Sequence, residues 1–369
     1  MKADAYGHGA VPIARALEAA GADGLSVATF DEAIELRDAG IGLPLLVLYP
    51  VPPDQVPAAI ARRIELSVGP GPLTEGVLAA AAAAAASPDG SGEPLGVHVE
   101  IETGLGRGGV PGPEAAAMAA RVAGTPGVRF AGSWTHLAAA DDRANALAQD
   151  AAFGSALGSL VEIAAFGPDG VRRHLAGSGA ILGADTARWD AVRPGLSIYG
   201  LVPDALTPPA ATASSAEALR PVMSLLARPV RVLQLPAGHG VSYGPTFTTT
   251  RPTRIATLPV GYGDGWRRNL SDRAGALVRG IRVPLVGRVA MDAVMADVTD
   301  VPGPPVTEDD EFVLLGSQGA ERITALELAR TLGTISYEVF TGMSRRLPRV
   351  YHAAGSPVDI RVLAGGRSS

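Results

Sequence analysis

The first half of the chain alternates short apolar runs, rich in β-forming residues, with longer stretches in which apolar residues recur at helical spacing. In Asp31–Ala39, for example, Ala33, Leu36 and Ala39 share one face of a helix. This alternation predicts a parallel sheet whose strands are joined by helices. The predicted strands are Leu25–Thr29, Leu45–Tyr49, Ile64–Val68, Val97–Glu102, Val128–Thr135, Arg173–Gly177 and Ala191–Arg193.

With a strand remnant at Lys2, these runs make eight strands, which is the number in a (β/α)8 barrel. Two further stretches, Pro113–Val122 and Asp142–Ala165, are predicted as helices between strands. Enzymes with this fold place their active sites at the carboxyl ends of the strands. Four polar residues lie at such ends: Lys2, Arg107, His136 and Ser178.

The alternation stops at Pro203–Leu219, a connector rich in Pro, Ala, Thr and Ser. Beyond it, short β-rich runs separated by Gly, Pro and Asp predict a mostly β domain with one helix at Ala325–Leu332. We therefore expect a barrel domain at residues 1–205, a linker at 206–219 and a mostly β domain at 220–369. The predicted runs of the second domain are Ala227–Leu235, Thr253–Pro259, Ala276–Val278, Val283–Val286, Val294–Val298 and Glu311–Leu315.

Composition narrows the functional classes. The 369 residues include 31 basic and 37 acidic side chains and no basic run, so nucleic acid is not an expected partner. Cysteine is absent, which excludes disulfides, thiolate nucleophiles and cysteine-ligated metal or iron–sulfur sites. No signal-peptide pattern and no apolar run of membrane-spanning length is present, so we expect a cytoplasmic protein without a membrane partner.

The segment Lys2–Gly9, with the sequence KADAYGHG, contains the strongest chemical signal. A lysine held with its amine toward a pocket can bind an aldehyde covalently, and Tyr6 follows closely enough to reach a bound cofactor. A lone lysine would more often be a surface residue of a turn. The whole octapeptide, however, resembles the pyridoxal 5′-phosphate (PLP) signature of alanine racemases. Family members carry more chain before this lysine, so the resemblance suggests that this chain is truncated or starts late.

Several further motifs resemble the same family in order along nearly the whole chain. Arg107, in Gly104–Arg107, can bind a carboxylate or the phenolic oxygen of the cofactor. His136 matches the histidine that stacks on the pyridine ring. The phosphate ligands are implied to be Ser178, the backbone N–H groups of Gly195 and Leu196, and Tyr199. Each motif alone would be read as an exposed arginine, a packed histidine or a common glycine-rich loop.

The resemblance places Arg193 against the pyridine nitrogen. Many PLP enzymes have a carboxylate there, which keeps the nitrogen protonated and makes the ring a strong electron sink. A guanidinium stays charged and disfavours a second positive charge on the ring. The carbanion would then be less delocalised into the ring, and side reactions such as transamination would be less frequent. The alternative is that Arg193 forms a structural salt bridge and has no role at the cofactor.

The second domain contributes residues that resemble the family's other active-site groups. Tyr243 matches the second base and Tyr262 an entrance tyrosine, whereas Met291 and Asp292 match a loop whose Met backbone amide binds the substrate carboxylate. A phenol is protonated at neutral pH, so a tyrosine base requires nearby positive charge, such as Arg107 or the cofactor. In the family, the residues matching Tyr243 and Met291 come from the neighbouring subunit, which implies a homodimer with shared active sites.

Two positions depart from the family pattern. Glu100 stands seven residues before Arg107, where many relatives have a carbamylated lysine that orients the arginine. We interpret Glu100 as a substitute that supplies the same negative charge and pairs with Arg107. Arg345 stands where several relatives have a tyrosine that gates the entrance, and this change could alter the range of substrates or inhibitors.

The sequence therefore favours PLP-dependent interconversion of L- and D-alanine, which would supply D-alanine for peptidoglycan. Inversion by two bases needs one on each face of the α-carbon, and the resemblance assigns these roles to Lys2 and Tyr243. Two alternatives stay open. One is a PLP racemase with a broader substrate range, including serine or basic amino acids, and the other is a truncated, non-catalytic PLP-binding relative.

Overall fold

The computed structural model describes residues 1–87, 93–163, 170–183 and 189–363. It divides into two compact units. The first unit comprises Met1–Ala5 and Gly9–Leu219, and the second comprises Tyr6–His8 and Arg220–Ser369. No helix within the described ranges has the length and apolar character needed to cross a membrane.

The first unit contains a parallel sheet whose strands follow one another in chain order and form a nearly closed barrel. The two-residue strand β5 adds to one edge of β4 near its end. The strands are β1 (Leu25–Val27), β2 (Leu45–Val47), β3 (Ile64–Val68), β4 (Leu95–Glu102), β5 (Val110–Pro111), β6 (Val128–Trp134), β7 (Arg172–Gly177) and β8 (Ala191–Arg193).

Side chains alternate between the two faces of these strands. In β4, Val97, Val99 and Ile101 are fully buried in the hydrophobic core cluster, whereas His98 and Glu100 lie on the opposite face, toward the barrel interior. The helices of this unit lie before, between and after the strands, and the first of them runs one residue into the second unit. They are α1 (Lys2–Tyr6), α2 (Ala10–Ala19), α3 (Phe30–Asp38), α4 (Val56–Ala61), α5 (Pro72–Ala85), α6 (Ala115–Gly124), α7 (Arg143–Gly158), α8 (Ser178–Gly183) and α9 (Ala210–Glu217).

The prediction of a strand remnant at Lys2 is wrong. Ala3, Asp4 and Ala5 have φ values of 53°, 54° and 55°, so α1 is a left-handed turn that L-residues rarely adopt. Local hydrogen bonds stabilise it, because the backbone N–H of Gly9 donates to the carbonyl of Asp4 at 2.9 Å and that of Ala10 to the Asp4 carboxylate at 2.8 Å. The parallel barrel strands of the described residues therefore begin with β1.

The predicted helix Asp31–Ala39 is displaced by one residue, to Phe30–Asp38, and two other helices differ more from their predicted bounds. Asp142 is the N-cap of α7 and accepts hydrogen bonds from two backbone N–H groups. This helix ends at Gly158 rather than continuing to Ala165, and residues 164–165 of the prediction lie outside the described ranges. The predicted helix Pro113–Val122 opens with a 3₁₀ turn at Gly112–Glu114 before α6 begins. The segment predicted as a linker contains α9.

The second unit is mostly antiparallel β structure, as predicted. The predicted run Ala227–Leu235 is two strands, because Pro229 between them has no N–H to donate to a sheet. The helix predicted at Ala325–Leu332 has the same bounds in the structure. The elements are β9 (Leu225–Ala227), β10 (Arg231–Leu235), β11 (Gly240–Val241), β12 (Phe247–Thr248), β13 (Thr253–Leu258), β14 (Gly275–Val278), β15 (Ile281–Val286), β16 (Val294–Asp297), β17 (Phe312–Gln318), β18 (Glu321–Ile323), α10 (Ala325–Leu332), α11 (Ser336–Thr341), β19 (Arg349–Ala353) and β20 (Ser356–Arg361).

The segment Tyr6–His8 belongs to this second unit, where side chains of β19 donate hydrogen bonds to its backbone carbonyls. Arg349 donates from Nε to the carbonyl of Gly7 at 2.9 Å, and the Tyr351 hydroxyl donates to the carbonyl of His8 at 3.0 Å. A Cβ at Gly7, whose φ is +79°, would lie 2.2 Å from the carbonyl oxygen of Phe340. Only glycine therefore fits at this position.

Candidate active site

The first unit brings four of the predicted site residues together at the carboxyl ends of its strands. Arg107 follows β4, His136 follows β6, and Arg193 ends β8. Lys2 lies within electrostatic range of this group, since its charge acts on His136 together with those of both arginines. The site is therefore rich in positive charge, as expected for a pocket that binds an anionic ligand.

Lys2 is held through the backbone of its turn. The next residue, Ala3, donates its N–H to Oε1 of Glu32 at 2.6 Å, and Oε2 of the same carboxylate caps α3 by accepting from Thr29 at 3.1 Å. Burial, reinforced by the charge of Arg107, lowers the pKa of the Lys2 amine. A lower pKa increases the fraction of neutral amine, which is the form that attacks an aldehyde or accepts a proton.

Arg107 is positioned by two carboxylates of β4. Its Nη2 donates to Oε1 of Glu100 at 2.9 Å, which confirms the predicted pairing. Glu102 accepts backbone N–H groups of the glycine-rich loop, from Gly106 at 2.8 Å and from Arg107 at 3.3 Å. Burial alone would raise the pKa of Glu102, but these backbone donors outweigh it and lower the pKa. Burial raises the pKa of Glu100 despite its hydrogen bond from Arg107.

Arg193 makes more hydrogen bonds than the other cations of the site. Nη1 donates to both Nδ1 and the carbonyl of His174 at 2.8 Å, and Nη2 donates to the carbonyl of Thr135 at 2.8 Å. Its guanidinium carbon lies 5.0 Å from the centroid of the Trp134 ring. Burial lowers the pKa of Arg193 to about 10, so the group is still a cation at neutral pH. Nε of Arg193 makes no hydrogen bond with any residue in the described ranges, which leaves this donor for a ligand.

His136 lies at the mouth of the barrel with part of its ring exposed. Nη2 of Arg193 is 3.4 Å from its Nδ1. Desolvation lowers the pKa of His136, and the charges of Arg193, Arg107 and Lys2 lower it further. The ring is therefore neutral at physiological pH, and a neutral aromatic ring is suited to stacking on another ring.

Ser178 forms a small cradle with the turn that follows β8. Its Oγ accepts the backbone N–H of Gly195 at 2.8 Å and that of Ser197 at 3.2 Å. Of the predicted phosphate ligands, Ser178 and the backbone N–H of Gly195 thus meet here, and in this structure that N–H donates to the Ser178 hydroxyl. Leu196 and Tyr199 in this turn are buried, and the Tyr199 hydroxyl donates to Sδ of Met1 at 3.9 Å.

These groups fit PLP. Lys2 offers an amine with a lowered pKa for the aldehyde, and the remaining Nε donor of Arg193 suits an unprotonated ring nitrogen. At the Ser178 cradle, a phosphate would take the place of Ser178 Oγ as acceptor of the Gly195 N–H, and the Ser178 hydroxyl would then donate to the phosphate. The neutral ring of His136 is available for stacking.

The second unit brings three predicted substrate residues close together, and one of them, Asp292, binds Arg346. Arg346 donates from Nη2 to Asp292 at 2.6 Å and from Nε to Asp264 at 2.6 Å. Tyr262 donates its backbone N–H to the carbonyl of Ala290 at 3.0 Å, in the loop that continues to Met291. Tyr262, Met291 and Asp292 have exposed side chains.

Tyr243 lies on a turn beside the same loop. The preceding Ser242, whose φ is +68°, donates from Oγ to the carbonyl of Arg288 at 2.6 Å. The Tyr243 side chain is 73% exposed. Two other predicted residues also belong to this unit: Tyr6, whose ring centroid is 5.8 Å from that of Tyr337, and Arg345, which is exposed.

Sequence reasoning missed three residues that organise the first unit's site, namely Glu32, Glu102 and His98. Only Glu32 had a local signal, because Thr29 and Glu32 have the spacing of a capping box. His98 became visible only through the sheet register, which places it opposite Gly132.

Comparison with known proteins agrees with this geometry. A family model described as alanine racemase, N-terminal domain, matches residues 1–203, and one described as alanine racemase, C-terminal domain, matches residues 222–351. The chain belongs to the alanine racemase family.

Curated family members are similar over most of their length. An alanine racemase of Desulfovibrio desulfuricans is 42% identical over 356 residues, which are 95% of this chain and 90% of the relative. One from Symbiobacterium thermophilum is 41% identical over 355 residues, with 95% and 89% covered.

Solved family structures share the fold. That of the Bacillus anthracis alanine racemase with bound L-Ala-P has a TM-score of 0.84 and 34% identity, covering 97% of this chain and 89% of that one. The Streptomyces coelicolor A3(2) alanine racemase has a TM-score of 0.81 and 36% identity, with 95% and 90% covered.

Proposed function

We propose that this alanine racemase family member interconverts L- and D-alanine with PLP as its cofactor. The observation that carries the proposal is the placement of Lys2, with its lowered pKa, among Arg107, His136 and Arg193 at the carboxyl end of the barrel strands. When bound, PLP supplies an aldehyde for covalent attachment and an electron-withdrawing ring that acidifies the α-carbon of an attached amino acid.

Lys2 acts as the base on one face of the substrate. Its neutral amine accepts the α-proton at Nζ and, in the opposite direction, returns a proton from the same atom. Burial and the charge of Arg107 favour this neutral form. Glu32 keeps the amine in place, because it binds the backbone of Ala3 directly after the lysine.

Tyr243 acts on the other face, as a proton donor or acceptor at its hydroxyl. Its exposed position on the second unit supports a role in a neighbouring subunit's site, since a side chain that is 73% exposed is available to a partner. A homodimer with two shared sites is therefore part of the proposal. Met291 reaches the substrate carboxylate through its backbone N–H in the same way.

Arg107 binds the substrate carboxylate or the cofactor's phenolic oxygen, held in position by Glu100. Asp292 acts through Arg346, which ties the Met291 loop to Asp264. In the cell, the product D-alanine would supply peptidoglycan synthesis in the cytoplasm.

Initial rates on a panel of enantiopure amino acids test the proposal. With PLP present, chiral separation of the products should show alanine racemised in both directions, and faster than serine, lysine or arginine. Borohydride reduction should fix the cofactor covalently, and peptide mapping should locate it on the peptide that carries Lys2. Lys2→Ala should abolish both racemisation and cofactor trapping. If another amino acid is racemised faster than alanine, that amino acid is the preferred substrate. No racemisation and no trapped cofactor would overturn the proposal.

A further inference from the structure

A line of hydrogen bonds runs through the barrel interior from Arg193 to a buried carboxylate. Nη1 of Arg193 is 2.8 Å from Nδ1 of His174, and Nε2 of His174 is 3.1 Å from Nδ1 of His98. Nε2 of His98 is in turn 2.9 Å from Oε2 of Glu65. We call Glu65, His98 and His174 the interior chain. The proposed mechanism assigns no role to it.

The barrel is shaped around these rings. His98 and His174 are 2% and 4% exposed, and their rings meet edge to face with centroids 5.2 Å apart. A Cβ at Gly132 would lie 2.3 Å from Nδ1 of His98, so only glycine leaves room for this ring. The Trp134 ring stacks on His174 at an interplanar angle of 12° and also lies under Arg193.

The donor at one end fixes every proton along the chain. A guanidinium can only donate, so Nδ1 of His174 must accept and the ring must carry its proton on Nε2. That proton points at Nδ1 of His98, which must therefore accept as well. His98 then carries its proton on Nε2 and donates it to Glu65. Any additional proton on either ring would place two donors face to face.

The charges around the chain agree with neutral rings. Burial lowers the pKa of both histidines, and the nearby Arg193 lowers that of His174 further. Glu65 is fully charged at neutral pH, because hydrogen bonds from His98 and Arg129 and the charge of Arg172 hold its pKa at about 2 in spite of burial. Arg129 lies 2.7 Å and Arg172 3.1 Å from its carboxylate oxygens.

We propose that the interior chain positions Arg193 as a fixed donor toward the cofactor ring. Glu65 orients His98, His98 orients His174, and His174 holds Nη1 of Arg193 so that Nε is left for the ring nitrogen. The inference rests on the proposed PLP-dependent function. The three residues are positioning residues, since they act on the cofactor only through the hydrogen bond of His174 with Arg193.

Nuclear magnetic resonance of the PLP-loaded protein, selectively labelled with ¹⁵N-histidine, tests the chain directly. His98→Asn and His174→Asn assign the two signals by their loss. Both rings should be neutral Nε2–H tautomers throughout pH 5.5–8. An imidazolium, or an Nδ1–H tautomer at His174, within this range would overturn the proposal. Because this measurement does not depend on turnover, it stays informative even if the protein does not racemise alanine.

Variants of His174 test the effect on Arg193. Asn places an amide oxygen near the position of Nδ1, whereas Phe keeps a ring for stacking on Trp134 but offers no acceptor. His174→Phe should weaken PLP binding by about tenfold, the loss expected for one misaligned charged hydrogen bond. The pH at which the absorbance of bound PLP changes should also rise by about half a unit, because a less firmly held guanidinium opposes ring protonation less.

His174→Asn should stay near wild type in both measurements. The matched control is Ser67→Ala, which removes the 2.7 Å hydrogen bond accepted from the Trp134 indole in the same interior but leaves the chain intact. Thermal unfolding shows whether each variant is folded. The proposal is wrong if a folded His174→Phe protein binds PLP and titrates like wild type, or if Ser67→Ala or His174→Asn changes both properties as much as His174→Phe does.

Discussion

Arg107 and Glu100 form an ion pair across β4 and the loop that follows it, with Nη2 of the arginine 2.9 Å from Oε1 of the glutamate. The Glu100 side chain is only 12% exposed, so its charge is shielded from water and acts mainly on Arg107. The family resemblance implies a carbamylated lysine at this position in many relatives. Here an unmodified carboxylate supplies the negative charge.

Replacing Glu100 with Gln should therefore impair substrate binding more than folding. Loss of the charge weakens a charge-assisted hydrogen bond worth about 1.5–3 kcal/mol, so KM for alanine should rise about tenfold or more. Steady-state kinetics and thermal unfolding separate the two effects. Unchanged KM and kcat would contradict a role for the pair.

Glu100→Lys gives a second measurement of the same pair. A lysine that becomes carbamylated regains the negative charge, so its activity should increase with added bicarbonate, whereas that of Glu100→Gln should not. If mass spectrometry shows that the lysine is carbamylated only with bicarbonate, equal activity of Glu100→Lys under both conditions would show that the charge at this position does not orient Arg107.

Glu32 connects the cap of α3 to the turn that carries Lys2. We expect Glu32→Ala to lower the free energy of unfolding by about 1–2 kcal/mol, because three backbone N–H groups lose their acceptor. Trapping of PLP on Lys2 by borohydride should fall as well. The control is Asp31→Ala, which removes an exposed carboxylate from the same helical turn. If both variants behave alike, Glu32 has no specific role in holding Lys2.

The barrel could be predicted from sequence because its parallel strands are buried on the outer face and partly on the inner face, so they appear as short apolar runs. Ile64–Val68 and Ala191–Arg193 have the bounds expected from this pattern alone. The left-handed turn at Ala3–Ala5 could not be predicted. Its unfavourable φ values are accompanied by hydrogen bonds of Ala3 with Glu32, 29 residues away, and of Asp4 with the following chain, and these contacts are not visible in the sequence.

The candidate site shows the same limit. Residues that follow strands, such as Arg107 and His136, could be placed at the barrel end because strand ends are visible in the sequence. The interior chain could not, since Glu65 and His98 are 33 residues apart and His98 and His174 are 76 apart. Only the strand register brings them into contact.

Gly261 allows the Tyr262 turn to approach the Met291 loop. A Cβ at this position would lie 2.3 Å from the carbonyl oxygens of both Ala290 and Met291. Gly261→Ala should therefore cost about 1–3 kcal/mol of stability and reduce substrate affinity by displacing the loop. Gly158→Ala is the control, because an added Cβ there meets no atom within 4 Å. A Gly261→Ala protein as stable and active as Gly158→Ala would contradict this packing.

Glu65 should make the stability of the protein depend on pH below 4.5. Its pKa is about 2 when folded, against an ordinary value of 4.5, so its contribution is fully present above pH 4.5 and is lost as the pH falls toward 2. Glu65→Gln should lower the free energy of unfolding at pH 7 by up to about 3 kcal/mol. It should also flatten the acid limb, which is the fall of that free energy as the pH decreases from 4.5 toward 2. Denaturant unfolding across pH 2.5–7 measures both.

The matched control for that measurement is Glu75→Gln. The Glu75 carboxylate also has a lowered pKa, through a hydrogen bond from Arg121, but both groups are exposed to solvent. An exposed pair contributes little to stability, so the acid limb should stay close to wild type. Equal flattening by the two variants would show that burial of Glu65 is not the cause.

The proposed dimer requires Lys2 and Tyr243 to reach one substrate from different subunits. A given site therefore needs an intact Lys2 in one chain and an intact Tyr243 in the other. Lys2→Ala and Tyr243→Phe homodimers should both be nearly inactive in racemisation, because every site lacks one of its two bases. A mixture of the two proteins has a different composition of sites.

In a heterodimer of the two variants, one site collects both substitutions and the other pairs an intact Lys2 with an intact Tyr243. Subunit exchange should therefore restore at most about half of the wild-type turnover per heterodimer, as the two-fold symmetry of the interface requires. Exchange is verified by differently tagged subunits, and mixing each variant with itself is the control. If each site were built within one chain, every site in the mixture would keep one substitution. No recovery after verified exchange would then exclude the shared site, provided that both single variants are folded and the wild-type enzyme is active.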